Sequence, residues 1–448
     1  MADILFVCTA FAPKNIIGSI RPSKLAKYMV RMGHRITVIL PVLGENESRD
    51  ELLMSPEMDS VRRVAVPNGG LYHRIKGIYK KGGSGKGGPA RVGTRPGLKR
   101  TAWFFFNLYT EASWFFRVRR ALKNNPPKKP YDAVISTYPN IGTHWAARYV
   151  MKKGWARRWV ADFRDPLVYD WLRGPELWIN RLIQKRVVRS SWVVTAVSRG
   201  IKSKLQKLVN QDKIVWIPNG FDPDDLAVKG APDATQNTDS TDKNRLVFSY
   251  AGGLYGGTRD MRVLFAAIRD LVSENALPPD GCAFDYAGRD GGVLLSQARE
   301  SGMEACVRDL GFLSREEALL MQTGADCSVV CTHNSKNDQG VMPGKFYETL
   351  LIGKPLLVIV NGDAGGSEIG SMTKELNAGI VYEQANHEED YKQLKAGIAG
   401  FFQEKLSMGA LSATLDQSKR ERYSYEHLAR EFMDLIDPAP APKEGGVT

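Results

Sequence analysis

The stretch DILFVCTAFAPKNIIGSIRPSKLAKYMVRMGHRITVILP, Asp3 to Pro41, decides the fold. It opens on a short apolar run, DILFVC, and passes through a turn-like loop, FAPKNIIGSIRP. A helical pattern follows over Ser23–Met32, closed by Gly33 before the strand HRITVILP. Strand, glycine-containing loop, helix, glycine and strand make a βαβ unit, which implies a parallel sheet. The alternation continues through DAVIST, a helix around His144–Lys153, RWVADF, a helix near Pro175–Val188, WVVTAV, a helix over 199–208 and KIVWIPNG. Residues 1–223 therefore read as one doubly wound α/β domain.

Residues 224–244 hold few large apolar side chains and read as a linker. A second series then starts: RLVFSYAG, a helix over 259–274, CAFDYAG, a helix over 291–301, VRDLGFL, a helix over 314–323, DCSVVC, a helix over 344–352 and PLLVIV. It predicts a second Rossmann-like domain over 245–417. An amphipathic helix over 418–437 is expected to pack back towards the first domain, and 438–448 to be a frayed tail. The fold class is α/β: two doubly wound parallel-sheet domains with an interdomain cleft.

A chain of 448 residues with 43% hydrophobic and 25% charged residues suits two globular domains, not a fibrous or wholly disordered chain. The five cysteines, Cys8, Cys282, Cys306, Cys327 and Cys331, show no zinc-like spacing and fit a reducing compartment. The N-terminus has no signal-peptide pattern and no run is long enough to span a bilayer, so a cytoplasmic location is expected, with peripheral attachment to the inner face of the membrane open.

The net charge of +13 is localised. Between Leu71 and Pro130 stand 15 Lys and Arg against one acid, Glu111, so the rest of the chain is close to neutral. Charge confined to one segment suggests docking on something anionic, and no nucleic-acid-binding module accompanies it. The segment reads as an insertion in the first domain. Its GGSGKGG fails the phosphate-loop pattern, because Gly87 follows Lys86, and reads as a flexible basic loop. TAWFFFNLYTEASWFFRVRR sets eight aromatic residues beside Arg117, Arg119 and Arg120. Over 74–120 this suits an anionic lipid interface, with a buried helix as the alternative.

Loops after parallel strands are where ligands bind. In GVMPGKFYETLLIGKPLLVI, Lys345 and Glu348 open a helix one turn apart. The helix N-terminus and Lys345 suit a diphosphate, and Glu348 suits ribose hydroxyls; an ordinary Lys–Glu pair is the plain alternative. In SYAGGLYGGTRD, Gly252, Gly253, Gly256 and Gly257 allow backbone to approach phosphate, and Arg259 leads into the next helix, though such a loop also serves as a tight turn.

YAGGLYGG, FDYAGRDGG, VRDLGFLSREEALLMQTGADCSVV and MPGKFYETLLIGKPLLVIV, in that order, resemble the C-terminal half of GT-B glycosyltransferases of the retaining family-4 type (glycosyltransferase group 1). The N-terminal half is similar more loosely, through its first loop, helix and strand, ADFRDP, VTAVSRGIKSKL and IPNGFDPDD. The resemblance implies that Gly18 lets the first loop approach a sugar diphosphate across the cleft. It further implies that Gly253 and Lys345 hold the diphosphate with help from Arg259, that Glu348 holds the ribose, and that the stretch around Gly288 lines the base pocket. Asn219 and Gly220 fall at the hinge, where Asn219 also reads as a simple turn residue. The family often carries Glu-x7-Glu, but here the first position is Gly340, which leaves the donor sugar open. Where the family has a histidine in the N-domain, ADFRDP offers Arg164 and Asp165, which would shape the acceptor side. His144 is the nearest other candidate, though a lone histidine at a helix start is more often a structural residue.

The resemblance implies a nucleoside diphosphate sugar as donor, and as acceptor a saccharide or polyprenyl-linked saccharide of cell-surface polysaccharide synthesis. Lys345, Glu348, Arg164 and Asp165 are the residues expected to carry the reaction. No cofactor or metal is expected: Lys345 and the helix terminus supply positive potential, and no Asp-x-Asp pair stands in the expected loop. Two other readings stay open, a nucleotide-sugar 2-epimerase of the same shape and a non-catalytic nucleotide- or glycan-binding partner of an assembly complex.

Overall fold

The computed structural model describes residues 1–44, 47–69, 97–169, 172–208, 213–226 and 244–436, with the backbone alone over 97–100. GGSGKGG, most of the linker and the tail lie outside the described residues. The chain divides into two units, 1–219 with 425–448, and 220–424.

The first unit is built on a seven-stranded parallel sheet, ordered β3-β2-β1-β4-β5-β6-β7. Its strands are β1 Asp3–Val7, β2 Arg35–Pro41, β3 Arg62–Val66, β4 Tyr131–Tyr138, β5 Ala156–Phe163, β6 Val193–Ala196 and β7 Ile214–Trp216. In β1, Ile4 and Phe6 face one core and Leu5 and Val7 the other, so both sheet faces are covered. That double burial is why the strand reads as an unbroken apolar run. The helix Tyr425–Ile436 belongs to the first of these cores, through Leu428, Phe432 and Ile436. Sequence periodicity predicts one helix over 418–437; the chain instead forms a short helix, Gln417–Arg420, and a 3-10 turn before Tyr425.

The first helix runs Ile17–Arg31, six residues earlier than its pattern predicts, and includes Pro22. Proline has no N–H for the carbonyl four residues back. That carbonyl belongs to Gly18, and Arg164 Nη1 donates to it instead.

The basic aromatic segment forms a long helix, Gly97–Asn124. Trp114, Val118 and Leu122 enter the second core of this unit, while Phe105, Tyr109 and Phe116 stay about half exposed. Among the described residues no helix is long and apolar enough to cross a membrane.

The second unit carries a six-stranded parallel sheet, ordered β10-β9-β8-β11-β12-β13. Its strands are β8 Leu246–Ala251, β9 Cys282–Ala287, β10 Val307–Asp309, β11 Cys327–His333, β12 Leu356–Asn361 and β13 Gly379–Glu383. Leu246, Phe248 and Tyr250 of β8 point into one core with Phe265, Phe284 and Leu294. Each sheet reverses its strand order once, between β1 and β4 and between β8 and β11. Those switch points are where doubly wound sheets open a crevice at their carboxyl ends.

Candidate functional site

At the switch point of the second unit, β8 runs into a loop with consecutive left-handed residues: Tyr255 at φ 49°, Gly256 at 65° and Gly257 at 86°. A tyrosine in that region is strained, so its surroundings must hold it. Gly252 N–H donates to Ala287 O at 2.7 Å, and Leu254 N–H to Asp290 Oδ2 at 2.6 Å. Tyr286 Oη donates to Gly252 O at 2.9 Å, and Arg259 Nη1 donates to Gly253 O and to Tyr250 Oη. Arg259 also lies over the Tyr255 ring, 4.5 Å from its centroid. The same network reaches β9. A Cβ on Gly288 would come within 2.2 Å of Tyr286 Oη and 2.4 Å of Gly252 O, so the two loops approach closely only with glycine there.

The loop after β11 delivers the helix Gly344–Ile352, whose N-cap, Pro343, offers no capping side chain. Lys345 lies on this first turn with its aliphatic stem against Gly252: a Cβ there would meet Lys345 Cε at 2.7 Å. Its ammonium has no hydrogen bond or ion pair among the described residues. Burial pushes its pKa down; Glu348 opposes that, while the nearby charges of Arg259 and Arg315 add to it. Lys345 is thus half-buried, with the Arg259 and Arg315 cations and the Glu348 carboxylate nearby.

Glu348 pairs with Arg315 rather than with Lys345. Arg315 Nε donates to Glu348 Oε1 at 3.1 Å, and Arg315 Nη2 to the buried Asp225 at 2.8 Å. The simple helix pair that the Lys–Glu spacing allows is thus not formed. Arg315 fixes one carboxylate oxygen of Glu348, and Oε2 has no hydrogen-bond partner among the described residues.

In the first unit, a Cβ on Gly18 would come within 3.1–3.3 Å of the Arg164 guanidinium and Ala10 Cβ. Gly18 therefore sits directly under Arg164. Burial raises the Asp165 carboxyl above its ordinary value, against the pull of Arg164. Below them Asp162 is buried, with Arg21 Nη2 donating to it at 3.0 Å and Thr195 Oγ1 at 2.7 Å. Arg21 also donates to the carbonyls of Ile217 and Pro218, just before the chain leaves the unit.

His144 is fully buried. Its Nδ1 lies 2.8 Å from Ser136 Oγ, its ring stacks on Phe163 at 5.1 Å, and burial pushes its pKa down to about 3. It is a neutral core residue. Asn219 and Gly220 fall where the chain passes between units. Gly340 has φ 77°, in the left-handed region.

Three residues without an assigned role in the motifs join these sites. Arg315 and Asp225 anchor Glu348. Glu111 Oε2 accepts the Ile141 N–H at 2.6 Å, at the start of the helix Ile141–Lys152 that follows β4. Burial raises the Glu111 pKa to about 7, although the Ile141 and Gly142 amides favour its ionised form.

Residues 20–220 match the family model described as a glycosyl transferase 4-like domain. The whole chain is similar in fold to Anabaena HepE, solved in complex with UDP and glucose: 15% identity, TM-score 0.59, covering 97% of this chain and 99% of that one. Sucrose-phosphate synthase from Thermosynechococcus elongatus shares 13% identity at TM-score 0.58, over 97% and 98% of the two chains. WaaG, a glycosyltransferase involved in lipopolysaccharide biosynthesis, shares 11% at TM-score 0.53, over 97% and 100%. No curated protein matches the sequence at a significant level. Two Rossmann-like parallel-sheet units in succession make this a GT-B fold. The family similarity lies in residues 20–220 of the first unit, and the similarity in fold spans the whole chain.

Proposed function

We propose that the protein is a retaining glycosyltransferase that moves a sugar from a nucleoside diphosphate sugar to a hydroxyl of a saccharide or lipid-linked saccharide acceptor in cell-surface polysaccharide or glycoconjugate synthesis. The observation that carries the donor assignment is Lys345: a half-buried ammonium, without a hydrogen bond or ion pair among the described residues, on the first turn of a helix at a sheet switch point. HepE, of the same fold, is solved with UDP-glucose, which supports a nucleotide sugar here. WaaG, in lipopolysaccharide biosynthesis, supports a cell-surface acceptor.

In this reading the difficulty of the reaction is the charge that gathers on the departing diphosphate. The N–H groups of Gly344 and Lys345 at the start of helix Gly344–Ile352 and the Lys345 ammonium meet that charge in a preorganised setting. This makes a metal unnecessary. Glu348, held by Arg315 through one oxygen, presents the other to the ribose. The departing phosphate oxygen takes the acceptor proton on the face the leaving group vacates, so the anomeric configuration is kept and no protein base is required. Arg164 and Asp165 shape the acceptor side.

The test is a donor screen with UDP-, GDP- and ADP-sugars, followed by NMR of the anomeric product. Transfer with one base and retained configuration is expected, and Lys345→Met should lower kcat/KM about 10²-fold or more, as loss of a preorganised charge does. Transfer with inversion, or full activity in Lys345→Met, would contradict the assignment. Epimerised donor without transfer would indicate the 2-epimerase reading instead.

A further inference from the structure

We propose that the outer face of the helix Gly97–Asn124 is a docking surface for an anionic phospholipid bilayer. Phe105, Tyr109 and Phe116 are 46%, 55% and 56% exposed on this helix, although it already buries Trp114, Val118 and Leu122 on its inner side. Helical spacing sets the three exposed rings on one side, away from the core-facing residues. A helix that needed only its own domain would not present large rings to water on its outer face as well.

The charge around these rings names the occupant. Arg117, Arg119, Arg120, Lys123, Lys128 and Lys129 follow them, and Lys99 and Arg100 precede them in the sequence. The only acid of the segment, Glu111, is turned inward onto the Ile141 amide, so it does not offset them. In sequence order the rings thus form one block with cations before and after it. A site that stacks nucleic-acid bases interleaves rings and cations along a backbone. A bilayer interface takes rings at headgroup depth and cations against lipid phosphate, which is the order found here.

The surface also has a place for one headgroup. A groove of about 680 Å³ runs between the end of β3 and this helix, lined by Val66, Pro67, Tyr109, Phe116, Arg117 and Arg120. Apolar wall, two rings and two guanidinium groups match the phosphate end of an anionic lipid and the start of its chain. The inference stands apart from the donor-site reading, because none of these residues belongs to the second unit.

The test is flotation of the full chain with vesicles of phosphatidylcholine alone and with about one third phosphatidylglycerol, at low and high salt. The wild type should float with the anionic vesicles only, and salt should weaken it, as surface charge attraction is screened. The triple variant Phe105→Ser, Tyr109→Ser, Phe116→Ser and the double variant Arg117→Glu, Arg120→Glu should each lose at least ten-fold in bound fraction. Their unfolding midpoint and nucleotide binding should match the wild type. No flotation of the wild type, or flotation unchanged in both variants, would overturn the proposal. So would concentration-dependent self-association abolished by the triple variant, which assigns the face to a second copy, or tighter binding to a single-stranded oligonucleotide than to vesicles.

Discussion

Pro22 accounts for the position of Arg164. Without the proline N–H the Gly18 carbonyl loses its helical partner, and the Arg164 guanidinium supplies the donor. Restoring the N–H should make Arg164 less necessary. Arg164→Met should therefore cost about 1 kcal/mol less stability in a Pro22→Ala background than alone, by chemical denaturation of all four chains; strictly additive costs would contradict the coupling. Asp162 presents a harsher case. Asp162→Ala leaves Arg21 buried without its carboxylate, so a loss of about 3–5 kcal/mol is expected in the same measurement. Glu111 is a matter of pH. Its folded pKa, about 7, lies above the ordinary value of 4.5. Its contribution to stability is fully present below pH 4.5 and is lost as pH rises through 7. Glu111→Gln removes this titration while keeping an acceptor for the Ile141 amide. The fall in stability between pH 5 and pH 8 should be smaller in the variant, by up to about 3 kcal/mol; an equal fall in both chains would contradict the assignment.

Among the elements, what the sequence makes legible is what is local. The strands β8, β9, β11 and β12 and the helix opening at Gly344 are announced by apolar runs bounded by glycine. Lys345 and Glu348 are marked by their place on a first turn. Edge strands are harder to read: β3 is RRVAV with its arginines exposed, and β13 opens on an exposed glycine, so neither shows the apolar run of a central strand. The start of the first helix is hidden by Pro22, which reads as a loop until its missing hydrogen bond is seen to be replaced. Arg315 is out of reach because the residue it serves lies 33 positions away. Glu111 stands out only as a lone acid, since its amide partner is 30 positions on. The close approach of the two donor-side loops is likewise non-local. Gly288→Ala should destabilise the second unit by about 1–3 kcal/mol, the cost of forcing a Cβ against Gly252 O, in thermal or chemical unfolding; an unchanged midpoint would contradict it.

For the whole molecule, two sheets divide the work in the proposed mechanism, and the division is visible in charge as well as in fold. The second unit gathers Lys345, Arg259 and Arg315 around one strand switch. The first carries the chain's excess of positive charge in the sequence 71–130, which includes the helix Gly97–Asn124. The chain passes between the units twice, after Asn219 and after Ser424. Its last helix completes a core whose other members are distant in sequence, so the first unit needs both ends of the chain. The central claim is that the second unit holds a nucleoside diphosphate on Lys345 and Glu348. Its most direct test is a thermal-shift panel of UDP, GDP, ADP and CMP on the wild type, Lys345→Met and Glu348→Ala. A ligand at 100 times its dissociation constant stabilises by about 2.7 kcal/mol. The account predicts a clear shift with one nucleoside diphosphate, lost or sharply reduced in both variants. A shift of equal size in all three chains, or none with any nucleotide, would contradict it.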